Sequence, residues 1–259
     1  MYKFTVRARN SSSSAVDGLG PIACRSCDLQ EICRLSGLIA FDGGRVRQQN
    51  GRMRSVRAGE ALFRAGDPAH SLWAVRQGML KTVHLDTNGN EQILALNTPG
   101  DVLGLEAFST GAFANDVIAL QTVVCCEMPL RQLDEHRTRF REFGAALVRL
   151  LSKSIAPRPH PARGSVRQRL TTFLLDLSAR LQQRGLDGRQ FTLGLSRREI
   201  ADLLDTRIET ISRMMQELHR ENVIRVRGKK IRMLALAQEG ESTVSFCDAG
   251  HGRSLTQIK

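Results

Sequence analysis

The sequence predicts an α+β protein with a β-rich domain over residues 39–134, a long helix over 135–156 and a mainly helical domain over 166–235. Three observations predict it. Turn signals recur between residues 52 and 132 at the roughly 8–12-residue spacing of a compact barrel or sandwich. Apolar residues then recur at helical spacing from Leu133 to Ala156. Finally, two S/T-x-x-E boxes lie close together between Ser196 and Glu209, followed by a basic, Gly-containing turn.

In the β-rich part the punctuation is AGE at 58–60, AGDP at 65–68, RQG at 76–78, TNGN at 87–90 and TPGD at 98–101. Strands fit between these turns at 61–63, 71–75, 79–85 and 91–96. Trp73 alternates with polar neighbours and reads as a core side chain.

In the helix that follows, Phe140, Phe143, Leu147 and Leu150 share one face at 3-4-3 spacing. Val148, Leu151 and Ile155 form a second stripe beside it. A helix with two apolar stripes can lie on its own β-domain and pair with a second copy of itself. Pro157, Pro159 and Pro161 come next, and a proline inside a helix costs about 3 kcal/mol or more. The helix is therefore expected to stop near Ala156, with 157–165 a linker.

Among 259 residues 41% are hydrophobic, enough for a buried core, and the formal charge is +12. The pI is about 10.3. Such a balance favours a polyanionic partner, nucleic acid first. No run reaches the roughly 18 apolar residues that a membrane span needs. The opening MYKFTVRARNSSSS has no apolar segment of the secretory kind. Residues 1–23 read as a flexible leader and 236–259 as a tail without fixed structure. A cytoplasmic, reducing setting is expected, where the six cysteines read as metal or redox ligands before disulfides.

The segment from Leu195 to Leu234 is the most informative. Ser196 with Glu199 makes a capping box for a helix whose core face is Ile200, Leu203 and Leu204. Thr206 with Glu209 offers a second box and a second helix, its inward face Ile208, Ile211, Met215 and Leu218. Two short helices joined by a tight turn form a helix-turn-helix, and VIRVRGKKIRML adds two short strands, a wing. The second helix presents Glu209, Thr210, Ser212 and Arg213 near its start, where a recognition helix meets base edges. Arginine can bond guanine bidentately and glutamate can accept from cytosine. Arg197, Arg198, Arg227, Lys229 and Lys230 flank them and suit phosphates, with Thr210.

Cys24-x2-Cys27-x5-Cys33 gathers three thiols within ten residues. Thiolates suit both zinc and iron–sulfur clusters, and spacing alone does not separate the two. A fourth ligand is needed, and Cys125 and Cys126 are the candidates. On a strand they face opposite ways, so only one is expected at the site. Cys247, in the tail, reads as a free thiol. The chain carries no P-loop, dinucleotide fingerprint, nucleophile elbow or H-E-x-x-H, so an enzyme is not expected.

With these parts in place, the chain from about Cys24 to Leu234 resembles the FNR branch of the CRP/FNR regulators. CRSCDLQEIC resembles the family's cluster motif. AGEALFRAGDPAHSLWAVRQGMLKTV and NEQILALNTPGDVLG resemble its cyclic-nucleotide-binding-like β-roll. CEMP at 126–129 resembles the place of its fourth cysteine, and ETISR at 209–213 its base-reading signature. The resemblance implies a β-roll sensor domain, a dimerisation helix and a winged helix-turn-helix domain. It implies a [4Fe–4S] cluster on Cys24, Cys27, Cys33 and Cys126, the first three within a cluster-binding segment at 24–38. Zinc on the same ligands, without oxygen sensing, is the alternative. It further implies a homodimer when cluster-loaded, seamed at Val148, Leu151 and Ile155, on a palindromic double-stranded DNA site resembling TTGAT-N4-ATCAA. Glu209, Ser212 and Arg213 would read bases, oxygen would release the DNA, and RNA polymerase would be a partner. GLEAFSTGAFANDVIAL lacks the Arg-Ser pair of cyclic-nucleotide sensors, so no cyclic nucleotide is expected. PRPHPARGS departs from the pattern: the connection is shorter, leaving roughly two turns of seam.

Overall fold

In the first half, two of the ten described strands form a hairpin and the other eight divide between two sheets. The computed structural model describes residues 22–42, 45–48, 52–86, 89–131, 140–155 and 164–234. The leader through residue 21, linker residues 156–163 and the tail from 235, Cys247 included, lie outside the described residues. Strands β1 (Ile39–Asp42) and β2 (Arg45–Gln48) pair as an antiparallel hairpin. The next eight are β3 (Arg52–Val56), β4 (Ala61–Phe63), β5 (Ser71–Gln77), β6 (Leu80–Leu85), β7 (Glu91–Asn97), β8 (Val102–Leu103), β9 (Asp116–Ala119) and β10 (Val123–Pro129). They form two antiparallel sheets, in the orders β3-β10-β5-β8 and β4-β9-β6-β7. Val56, Trp73, Val75 and Cys125 from the first sheet meet Leu62, Phe63, Leu80 and Val117 from the second in one core.

Two glycines are required by close approach. Gly78 turns the chain between β5 and β6 at φ +85°, and a Cβ there would lie 2.7 Å from the Thr122 carbonyl oxygen. Gly104, at φ +88°, leaves room for the Phe113 ring, which stacks on Phe63 at a centroid distance of 3.7 Å inside the roll.

The outer face of the first sheet is covered by helices. Helix α1 (Gln30–Leu35), within the cysteine-dense segment, and helix α2 (Phe140–Ile155) pack Leu29, Ile32, Leu35, Ala146 and Leu150 against Leu72, Ala74 and Met128. Phe143 and Leu147 join them at the edge, as the 3-4-3 stripe anticipates. The side chain of Phe140 lies outside the described ones.

The C-terminal domain comprises α3 (Val166–Gln183), β11 (Gln190–Thr192), α4 (Arg197–Leu203), α5 (Ile208–Arg220), β12 (Ile224–Arg227) and β13 (Lys230–Met233), with the strands in the order β11-β13-β12. Its core of Leu170, Leu174, Leu177, Leu181, Ile200, Ile211, Met215 and Leu218 continues into Met79, Ile93 and Leu96 of the β-roll. Among the described residues, four ion pairs tie this domain to the first half of the chain: Lys81 to Glu199 at 2.9 Å, Arg180 to Asp101 at 2.5 Å, Arg184 to Asp28 at 2.5 Å and Arg184 to Asp101 at 3.9 Å.

Ser196 and Glu199 form the expected reciprocal cap, as do Ser165 and Gln168 at the start of α3. The second box does not form. Helix α5 begins at Ile208 with Arg207 as its N-cap, which accepts no side-chain bond. The cause lies in the turn before it. Asp205 adopts a left-handed φ of 47°, its amide bonds the Asp202 carbonyl, and the Thr206 amide bonds Ala201. That is a Schellman ending of α4, so Thr206 belongs to the preceding helix's closure. Asn222 (φ 57°) and the amide of Val223, bonded to Leu218, end α5 the same way. Ile208 is also corrected: it stands at the first position of α5, 41% exposed, ahead of the turn that meets the core.

Candidate cysteine centre and nucleic-acid interface

Two distant segments supply the thiols. A short 3-10 turn at Cys24–Ser26 closes when the Cys27 amide donates to the Cys24 carbonyl at 3.1 Å. Cys33 follows on α1, anchored by the apolar spacing of Leu29, Ile32 and Leu35. Cys126 comes from the middle of β10, opposite Met53 on one side and Ala74 on the other. Cys24, Cys27, Cys33 and Cys126 line a single cavity with Ile22, Leu38, Ile39, Ala74 and Arg76. Cys125 points the other way, fully buried in the roll core.

Burial pushes the Cys27 thiol up to about 12, with the nearby Cys126 adding to it. Cys33 is raised further, by burial and then by Cys27, Cys126 and Cys24. Burial also raises Cys126, against the pull of the Arg76 guanidinium beside it. The thiols thus feel one another across the cavity. Among the described residues no three His, Cys, Asp or Glu side chains close around a point that a single ion could occupy. Soft thiols gathered on one cavity wall are the donor type that both zinc and iron–sulfur clusters take.

The cysteine segment is wired to both neighbours. Glu31 pairs with Arg149 of α2 at 2.6 Å, and Asp28 with Lys153 at 3.4 Å. Arg184, at the end of α3, donates to the Ser26 carbonyl at 2.7 Å and to both oxygens of Asp28. Asp28, Arg76 and Arg184 escaped the sequence reading, since their contacts link positions far apart in the chain. On α2 the outward stripe is open: Val148 is 62% exposed, Ile155 79%, and Leu151 half-buried.

In the second domain, Glu209 and Arg213 are exposed on the first turns of α5, with Thr210 and Ser212 half-buried beside them. Arg213 lies within 4.0 Å of Glu217, one turn on. Arg198, Arg227 and Lys230 are exposed, whereas Arg197 is half-buried, which lowers its pKa. The ammonium of Lys229 donates to the Gly194 carbonyl at 3.2 Å, tying the wing turn to the loop before α4. The wing turn itself uses Gly228 at φ +59°. No helix among the described residues is long and apolar enough to cross a membrane.

Comparison with known proteins agrees with this architecture. Residues 53–138 match the cyclic nucleotide-binding domain family, and 168–238 the Crp-like helix-turn-helix domain family. The transcriptional activator protein anr of Pseudomonas aeruginosa is 34% identical over 215 residues, covering 82% of this chain and 88% of that protein. The fumarate and nitrate reduction regulatory protein of Vibrio cholerae is 30% identical over 221 residues, 84% of this chain and 88% of that one. Among solved structures, TTHB099, a CRP-family transcriptional regulator from Thermus thermophilus, superposes with a TM-score of 0.56 at 25% identity, covering 71% of this chain and 93% of that one.

A β-roll joined to a winged helix-turn-helix defines a DNA-binding transcription regulator, not an enzyme. More particularly, the chain belongs to the CRP/FNR family, in its FNR branch.

Proposed function

We propose that this regulator answers oxygen through a [4Fe–4S] cluster held by Cys24, Cys27, Cys33 and Cys126. One observation carries the reading: four thiols from two distant segments share one cavity wall. The names of several relatives, which refer to fumarate and nitrate reduction, support it. When bound, the cluster supplies the sensitivity to oxygen. The chain's own residues do the rest. Helix α1 carries Cys33 and packs through Ile32 and Leu35 near Ala146 and Leu150 of α2, so order in the cysteine segment supports the helix behind it. The outward stripe of Val148, Leu151 and Ile155 then forms the homodimer seam. A ligand shifts that association only by the difference in its affinity for the two states.

A two-fold dimer presents two α5 helices to a palindrome of the TTGAT-N4-ATCAA kind. Glu209, Ser212 and Arg213 read bases. Arg197, Arg198, Thr210, Arg227, Lys229 and Lys230 hold the backbone. The protein works in the cytoplasm with RNA polymerase as its partner and takes no cyclic nucleotide.

The test is metal and sulfide analysis of protein purified without oxygen, with its absorbance and sedimentation followed after air is admitted. About four irons per chain, a brown colour that bleaches in air and a dimer that dissociates are expected. Colourless protein holding about one zinc would overturn the oxygen reading.

A further inference from the structure

The wing strands alternate between two environments. Ile224, Ile231 and Met233 enter the domain core, while Arg225, Arg227, Lys230 and Arg232 point outward. Their register sets like charge against like charge. Arg225 stands opposite Arg232, and Arg227 opposite Lys230. Strand β11 extends both rows, with Gln190 beside Arg232 and Thr192 beside Lys230. Gln190, Arg225, Arg227, Lys230 and Arg232 line one shallow groove on this face. Among the described residues no acidic side chain pairs with Arg225, Arg227 or Arg232. Like charges directly opposite destabilise a sheet, and packing imposes nothing on its solvent face. A bound polyanion relieves that repulsion.

We propose that the outward face of the wing sheet is a second DNA-contacting strip, in which Arg225 and Arg232 hold backbone phosphates beside the stretch entered by α5. Continuity with the recognition helix selects DNA over other polyanions. Strand β12 starts at Ile224, directly after α5 ends at Arg220. The Val223 amide bonds the Leu218 carbonyl at 3.0 Å, and the Val226 amide bonds His219 Nδ1 at 3.4 Å. Sheet and helix are thus joined without a loose connection, and the proposal has a duplex seated on α5 continue beside this face. The strip extends the interface beyond the wing tip and the base readers. It rests on the DNA-binding domain alone, so loss of the cysteine reading would leave it standing.

The test measures binding of the full chain to duplexes of about 40 base pairs over a series of salt concentrations. One duplex carries TTGAT-N4-ATCAA and the other is of random sequence. Each lost phosphate contact lowers the log–log salt slope by about 0.9, so Arg225→Ala with Arg232→Ala is expected to lower it by about 2 per bound chain on both duplexes. Arg225→Lys with Arg232→Lys keeps the slope. Arg57→Ala with Arg131→Ala removes the same charge from exposed positions of the β-domain and leaves it unchanged. A wing double variant with the wild-type slope, or one matched by the Arg57/Arg131 variant, would overturn the proposal. The first of these outcomes would return the face to an acidic protein partner.

Discussion

Both carboxylate oxygens of Asp28 accept from the Arg184 guanidinium, at 3.0 and 2.5 Å. The residue next to Cys27 is thereby fastened to the helix that opens the DNA-binding domain, while Lys153 of α2 reaches the same carboxylate. Cysteine segment, helix α2 and winged domain meet at one side chain.

Removing Arg184 leaves a largely buried carboxylate with one distant partner. Charge-assisted bonds of this kind contribute about 2 kcal/mol, so Arg184→Ala is expected to lower unfolding stability in urea by about that amount. A change below roughly 0.5 kcal/mol would mean that solvent screens the pair.

The pair between Lys81 and Glu199 carries a pH signature. Burial opposes the charge on Glu199, but the Ser196 amide and the Lys81 ammonium outweigh it and hold the carboxyl below its ordinary value of 4.5. A depressed carboxyl contributes stability above its unfolded pKa and loses it as pH falls through the folded one. Thermal unfolding followed from neutral pH to below 4.5 should therefore show an acid-side loss that Glu199→Gln reduces. An identical acid limb in wild type and variant would remove Glu199 from the account.

Neighbouring sulfurs should part company. Cys126→Ala is expected to abolish metal loading in anaerobically purified protein. Cys125→Ala should keep the metal and cost about 1 kcal/mol of folding stability through a small core cavity. Loss of the chromophore in the Cys125 variant would reverse the ligand assignment.

Arg213→Ala should weaken binding to the palindromic duplex by about 1–3 kcal/mol and barely affect random DNA. Equal losses on both, measured by fluorescence anisotropy at one salt concentration, would make Arg213 a phosphate contact.

Much of this was legible in the local pattern. Turn residues at 76–78 and 98–101 bracket strands where the structure has them, and the Ser196 box marks the start of α4. The second box failed because a capping motif is a local rule, while the Thr206 amide answers to the preceding helix. Helix α1 has only six residues, less than two turns, so the helical spacing of Leu29, Ile32 and Leu35 is too short a run to stand out among the cysteines. Strand β11 has only three residues, too few for alternation to register. The Asp28–Arg184 pair joins positions 156 apart, and no window along the chain holds both.

Strand β10 pairs with β3 and β5 on its two sides, and its ladder with β5 shifts between Val124 and Cys125. Side chains on a strand change face with every step, so a slip of one residue inverts all of them. Such a slip would carry Cys125 to the cavity and send Cys126 into the sandwich. The extra residue at that irregularity is Arg76 of β5, since Val124 faces Gln77 and Cys125 faces Val75, while the ladder with β3 runs unbroken from Val123 to Glu127 and holds the two sulfurs on their faces. Which thiol meets the cavity is thus decided by the counting of hydrogen bonds along a ladder, and the ligand set is inherited from the sheet.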